Sequence, residues 1–359
     1  MRIHLVGGLL LALACAVVSP ALANDKATDV VTGAIDGFIR PGYAAFHQAT
    51  GELVEAGSAL CAAPSQKALD AARNSFGKTV DAWSTMEIIR FGPVTEENRL
   101  ERVLFWPDRR STGLKQVQAA LAAKEETATD ADSLAKKSVA MQGLGALEFV
   151  LFGTGADTLA GAGEQYRCAY GAAIAGNLDT IAGELETAWA EPDGFAAQWA
   201  NPGPEDPLYR DGTEAVTELM DVFVTGFELV RDVRLGGFLG EAPEDDKPRQ
   251  ALFWRSGKTI DAIAENLAGM SALFEASRLG EAVRDDARWI GNSARFEFTN
   301  AASAAAAANG PVADVLADPA RRDKLVYLGL VTSSLSEIFG TSLSGELGLT
   351  AGFSSLDGD

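Results

Sequence analysis

The sequence predicts an all-α protein, and three observations carry that prediction. Apolar residues recur at spacings of three and four, alanine is abundant, and the strict alternation expected of half-buried strands is nearly absent. The helical periodicity is clearest over Gln66 to Phe91, Leu114 to Ala123, Gly171 to Ala190, Gly212 to Val233 and Ser256 to Ser277. Pro41 suits a first helical turn, where a missing N–H costs nothing. A further short helix is expected over GLGALEFVLFG, Gly143 to Gly153.

The chain opens MRIHLVGGLLLALACAVVSPALAND, with Arg2 ahead of an apolar run from Leu5 to Val18 and then Ala21-Leu22-Ala23. A basic start, a short apolar segment and an A-x-A site read as a secretory signal over residues 1–23, so the mature chain is expected to start at Asn24. Cys15 in ALAC resembles a lipid-attachment box, but Ala12 stands where leucine is usual, so cleavage is preferred to lipid anchoring. No later stretch has the roughly 20 uninterrupted apolar residues of a spanning helix, which argues against an integral membrane protein.

Arg2 leaves with the leader, so 29 of the 30 basic residues stand against 50 acidic ones, a net charge of −21. An acidic surface of this size repels phosphate, which excludes nucleic acid as the expected partner. His4 also leaves, and His47 remains as the single mature histidine. HExxH zinc sites and two-histidine catalysis are excluded by that count. Cys61 and Cys168 are the mature cysteines, and in an oxidising compartment they are expected to form a disulfide; two buried free thiols are the alternative.

Pro and Gly concentrate in EPDGFAAQWANPGPEDPLYRDGT, Glu191 to Thr213, which places a boundary between an N-terminal helical bundle at residues 24–200 and a C-terminal one at 201–359. The halves echo each other. Glu87-Ile88-Ile89-Arg90, Leu104-Phe105-Trp106 and Glu148-Phe149 find counterparts in Glu228-Leu229-Val230-Arg231, Leu252-Phe253-Trp254 and Glu297-Phe298. The offsets are nearly constant, and an inserted EAPEDDK at Glu241 to Lys247 accounts for the one large change, so internal duplication is expected.

Leu144, Leu147, Glu148 and Leu151 fall on one helical stripe, so the Glu148 carboxylate points where leucines point and needs a partner. Gly143 and Gly145 each cost about 1 kcal/mol against alanine inside a helix, which suggests close backbone approach or open space beside Glu148. Tight packing with Glu148 bridged to an arginine is the alternative. Glu87 and Arg90 lie three apart on the face that holds Trp83, as a buried bridge or a pocket wall. In ENRLERVLFWPDRR, Arg99, Arg102 and Trp106 share a face and offer Glu148 a cation. His47 reads as a boundary residue beside Phe46 and Leu53. There is no nucleophile motif, Gly-rich phosphate loop or CxxC.

IRPGYAAF, the run from ALCAAP through DAW to RFGPV, LFWPD, GLGALEFVLFG followed by YRC, and the closing GFSSLDGD resemble the imelysin-like family of exported bacterial proteins associated with iron uptake. The resemblance implies two helical bundles with a site near their junction, a periplasmic location, and partners in an iron- or metal-uptake system. The family motif is GxHxxE. Gly143 and Glu148 match it, while Gly145 stands where the histidine should be, so a metal held at Glu148 would lack the motif's imidazole ligand. Iron or another divalent metal is the implied cofactor, without a settled identity. Some relatives are described as metallopeptidases. Loss of one of two ligands argues against that here, because metal-assisted hydrolysis needs fixed ligands and an open position.

The expectation is therefore a non-enzymatic binding or accessory protein. Its candidate ligand residues are Glu87, Arg90, Arg102, Trp106, Gly143, Gly145, Glu148 and Asp357, with Asp359 beside the last and the arginines able to hold an anionic ligand such as a metal chelate. Glu228, Arg231 and Glu297 are their counterparts in the second half. The alternatives are a metallopeptidase with a degenerate motif and a metal-free interaction protein.

Overall fold

The computed structural model describes residues 24–108 and 110–349, so the expected leader at residues 1–23 and the tail with Asp357 and Asp359 lie outside the described residues. Among these residues there are helices and turns and no strand. The ten longer helices are α1 (Asn24–Ala34), α2 (Arg40–Ala62), α3 (Gln66–Met86), α4 (Thr112–Ala123), α5 (Gly143–Phe152), α6 (Gln165–Ala190), α7 (Gly212–Glu228), α8 (Thr259–Ser277), α9 (Trp289–Ala307) and α10 (Pro319–Glu337). No helix among the described residues is long and apolar enough to cross a membrane.

Local sequence chemistry sets several of these boundaries. Ser65 caps α3 by accepting the Ala68 N–H at 3.2 Å. Asp211 caps α7 through Thr213 and Glu214, and Asp318 caps α10 immediately before Pro319. Pro41 sits in the first turn of α2, and a π-helical turn over Ile35–Ile39 joins that helix to α1 without breaking the helical path.

Two expected helices are shorter than their periodicity suggests. The run from Gln66 ends at Met86 rather than Phe91, because Ile88 and Ile89, both fully buried, leave the helical track to enter the core. The run from Ser256 begins at Thr259, because the residues before it form a turn with another task.

The first half of the chain packs α2 against α3 and α6, with α5 laid on α6; the second packs α8 against α9 and α9 against α10. A disulfide between Cys61 and Cys168 fastens the end of α2 to the start of α6. It closes a loop of 107 residues, worth about 4–5 kcal/mol in the chain-entropy view. The halves meet where α3 packs on α8, and α1 crosses over to pack on α7 and α8. Gly269 makes the α3–α8 approach possible, since a Cβ there would stand 2.3 Å from the Thr85 carbonyl oxygen.

The seam between the halves is apolar with a polar row set into it. Glu87, just past the end of α3, is buried and salt-bridged to the buried Arg234, and it accepts the Asn266 Nδ2–H at 3.2 Å. Asn266 also donates to the Ser84 carbonyl at 2.7 Å. Burial weakens the hold of Arg234 on its proton, and the Glu87 charge opposes that effect. Lys258 reaches from the second half to Asp81 at 2.9 Å, and Thr85 donates to Glu265 at 3.1 Å.

Removing one partner of a buried pair leaves an uncompensated charge. Glu87→Ala should therefore lower the stability measured by urea unfolding by about 3–5 kcal/mol. Glu87→Leu combined with Arg234→Met should recover most of that loss, and strict additivity of the two single changes would show that the pair is not coupled.

Candidate functional site

Helix α5 begins in a constrained way. Gly143 has φ +83°, and a Cβ there would lie 2.4 Å from the Arg102 carbonyl oxygen and 2.5 Å from that of Val103. Only glycine meets both conditions without strain. The start of α5 is thus held tightly against the end of the short helix Arg99–Val103. From that start the expected stripe is buried throughout, with Leu144, Leu147, Glu148 and Leu151 all removed from solvent.

Glu148 finds its partner in the other half of the chain. Its Oε1 accepts the Arg255 N–H at 3.1 Å, the Ser256 N–H at 3.0 Å and the Ser256 hydroxyl at 2.9 Å. The turn that presents these donors is built on left-handed backbone at Phe253, φ +58°, and Gly257, φ +74°. Thr259 Oγ1 donates to the Leu252 carbonyl at 2.7 Å and the Lys258 N–H to that of Phe253 at 3.1 Å, which closes it. Two successive amides aimed at one oxygen form an anion-binding concavity.

The second oxygen of Glu148, Oε2, lies 4.0 Å from the Arg255 guanidinium. Burial pushes the Glu148 carboxyl up from the ordinary range, and the Ser256 amide and hydroxyl, then Arg255, pull it back. Burial also pulls Arg255 down, with Glu148 opposing it.

Glu148 lines a cavity of about 560 Å³ between the two halves. Phe105 and Trp106 contribute one wall; Leu252, Phe253, Trp254 and Arg255 contribute another. Phe105 and Trp106 of the first echoed block and Leu252, Phe253 and Trp254 of the second therefore face one space. Gly145 opens onto it, and a Cβ there would meet nothing within 4 Å, so the place of the motif histidine is open.

Three of the residues singled out in the sequence come together here: Trp106, Gly145 and Glu148. Gly143 shapes the backbone beside them. Glu87 belongs to the seam and pairs with Arg234, not Arg90, because the helix has ended before the pair could share a face. Arg90 does not line the cavity; its charge acts on Arg234.

Arg102 donates to Gln142 at 3.3 Å and Asn177 at 2.9 Å, and Arg99 pairs with Glu184 and Glu96, so the cation beside Glu148 is Arg255. Asp357 lies outside the described residues. In the second half Arg231 pairs with Asp232, and Glu297 accepts hydrogen bonds from Asn300 and Ser334. His47 meets Glu186 at 2.5 Å, with Asp179 at 3.7 Å, on the α2–α6 face.

Sequence reasoning missed Arg255, Ser256, Lys247 and Arg249 at the site. The available signal was Arg255-Ser256-Gly257 directly after the echoed Leu-Phe-Trp block, a turn sequence placed where a helix was expected.

The donor set does not fit a resident metal ion. Glu148 Oε1 is fully engaged, the place of the motif imidazole is glycine, and no three His, Cys, Asp or Glu side chains among the described residues are grouped to hold a metal.

Fold and site together define an all-helical scaffold that buries a carboxylate beside a cavity at the meeting of its two halves. The chain belongs to the imelysin family, whose model (Peptidase_M75: Imelysin) matches residues 39–336. The fold is similar to that of an imelysin-like protein from Psychrobacter arcticum 273-4, with a TM-score of 0.74 at 19% identity over 94% of this chain and 100% of that one. It is likewise similar to a "putative iron-regulated protein A precursor" from Parabacteroides distasonis ATCC 8503, with a TM-score of 0.74 at 14% identity over 92% of this chain and 97% of that one. No curated protein matches the sequence.

The hydrogen bonds to Glu148 distinguish its substitutions. Glu148→Gln keeps the accepting oxygen and removes the buried charge, so its stability at pH 7 should stay within about 1 kcal/mol of the wild type. Glu148→Leu strands two amides, while the Ser256 hydroxyl keeps the Phe253 carbonyl at 3.1 Å, and should cost about 3 kcal/mol. Because folding raises the Glu148 pKa, its contribution is greatest at pH values below the unfolded carboxylate range and declines as pH rises through the folded value. Urea unfolding from pH 4 upward should therefore show wild type losing stability relative to Glu148→Gln.

Proposed function

We propose that this chain is an exported, periplasmic, non-enzymatic binding or accessory protein that works with an iron- or metal-uptake system. In this reading residues 1–23 are a cleaved secretory signal, and residues 24–200 and 201–359 are two helical bundles derived from one by duplication. The ligand enters the cavity at their junction. The observation that carries the reading is the cavity itself, walled by both halves and floored by a carboxylate that hydrogen bonds already hold in place. Family membership supports an exported role, and the iron-regulated name of one structural relative supports the link to iron.

A binding role follows from what the cavity offers. It supplies aromatic walls and charged groups around a space of ligand size, the usual form of a small-molecule site. It supplies no open metal position with fixed ligands, which the metallopeptidase alternative requires.

Growth under iron limitation tests this role. A deletion strain should grow poorly and recover with the wild-type gene. A Gly145→Trp gene, whose side chain would enter the open space, should give folded protein in the periplasmic fraction, starting at Asn24, without rescue. Equal rescue by that variant would contradict the cavity's role. Stoichiometric metal with chelator-sensitive proteolysis, in protein prepared without a metal-affinity tag, would establish the metallopeptidase instead.

A further inference from the structure

We infer that the cavity takes a small polycarboxylate anion, free or carrying a chelated metal, anchored by the Arg255 guanidinium with Lys247 and Arg249 at the rim. This rests on the seam cavity being a ligand site, as proposed above, and names the chemistry of what it binds.

The charged groups around the cavity are not equivalent. Each carboxylate already accepts hydrogen bonds, Glu148 through Oε1 alone. Glu148 accepts three hydrogen bonds on Oε1, and Asp108 accepts the amides of Thr112 and Gly113 at 2.6 and 2.9 Å. Asp232 takes both Nε and Nη2 of Arg231, at 2.7 and 2.6 Å. The cations are not so engaged. Lys247 and Arg249 make no salt bridge or side-chain hydrogen bond among the described residues, and Asp246 just before them is spent on Arg322 at 2.8 and 3.0 Å.

Arg255 is the most informative of the three. Its side chain is about one-fifth exposed, its guanidinium lies 4.5 Å from the Trp254 ring centre and 5.5 Å from that of Phe149, and its nearest carboxylate oxygen is 4.0 Å away. None of its side-chain N–H groups makes a hydrogen bond within the described residues. A guanidinium stacked on aromatic rings keeps its planar donor fork fixed, the geometry that receives a carboxylate through two parallel bonds.

Arg249 also lies over the Trp254 ring, at 6.0 Å, so one tryptophan positions two guanidiniums beside the same space. In a chain with 50 acidic and 30 basic residues, Lys247 and Arg249 without acidic partners, and Arg255 with only the Glu148 oxygen 4.0 Å away, make a local anion trap at one cavity. Several carboxylates on one ligand match several separated cations. The cavity volume of about 560 Å³ accommodates a molecule of citrate size, alone or as a metal complex.

Isothermal titration calorimetry of the mature protein with citrate, with ferric citrate, and with ferrous ion alone under anaerobic conditions tests the inference. One-to-one binding of citrate or ferric citrate is expected. Lys247→Ala and Arg249→Ala, both exposed rim positions that should not disturb folding, should each weaken it about tenfold. Arg255→Lys, which keeps the charge but loses the fork, should weaken it at least as much. Arg278→Ala, an exposed arginine paired with Glu281 and outside the cavity, should leave it unchanged.

Equal affinity for the two anions would identify the free polycarboxylate as ligand, and a preference for ferric citrate would identify the chelate; either supports the inference. Failure of both anions to bind at about 1 mM, or binding untouched by the rim variants, overturns it. Ferrous ion binding without the anions would leave the cavity reading standing and this inference fallen. No binding by any of the three probes would remove both.

Discussion

One hydrogen-bonded carboxylate joins the two halves of this protein at the place where they leave a cavity. Moving a carboxylate out of water costs several kcal/mol, and three donors on one oxygen offset that cost only if all three arrive together. They come from one turn more than one hundred residues downstream of Glu148. Everything at the site depends on that turn: the left-handed residues that shape it, the late start of α8, and the placing of Trp254 and Arg255 on the cavity wall.

The seam repeats the principle with different chemistry. Glu87 is answered by Arg234 and Asn266, and Asp81 by Lys258, so each carboxylate that α3 or its end turns toward the second half meets a donor there. Apolar contacts between α3 and α8 supply the attraction, and the polar row sets the register, because a shifted seam would leave buried charges unpaired. The cavity beside this seam has walls from both halves.

Much of this was legible in the sequence, and what was not has a physical reason. The helical class follows from periodicity that needs no tertiary information, and the Cys61–Cys168 bond agrees with the expectation drawn from an even pair of cysteines. Glu148 showed itself as a charge on an apolar stripe, and Gly145 as an unfilled place. The partners did not show themselves. Arg99 and Arg102 lay near in sequence but are turned to Glu184, Gln142 and Asn177. The actual donors to Glu148 are two main-chain amides and a serine, which carry no compositional signal. Helical spacing placed Glu87 beside Arg90 only by extending a helix that two buried isoleucines end.

The capping of Glu148 by the Arg255–Ser256 turn is the central claim, and amide hydrogen exchange reads it directly. Both amides lie in a non-helical turn, yet each donates to a buried oxygen, so their exchange should be slowed to the rate of the neighbouring helices and released selectively in Glu148→Leu. Exchange of both amides at the rate of an open loop in the wild-type protein would contradict the account.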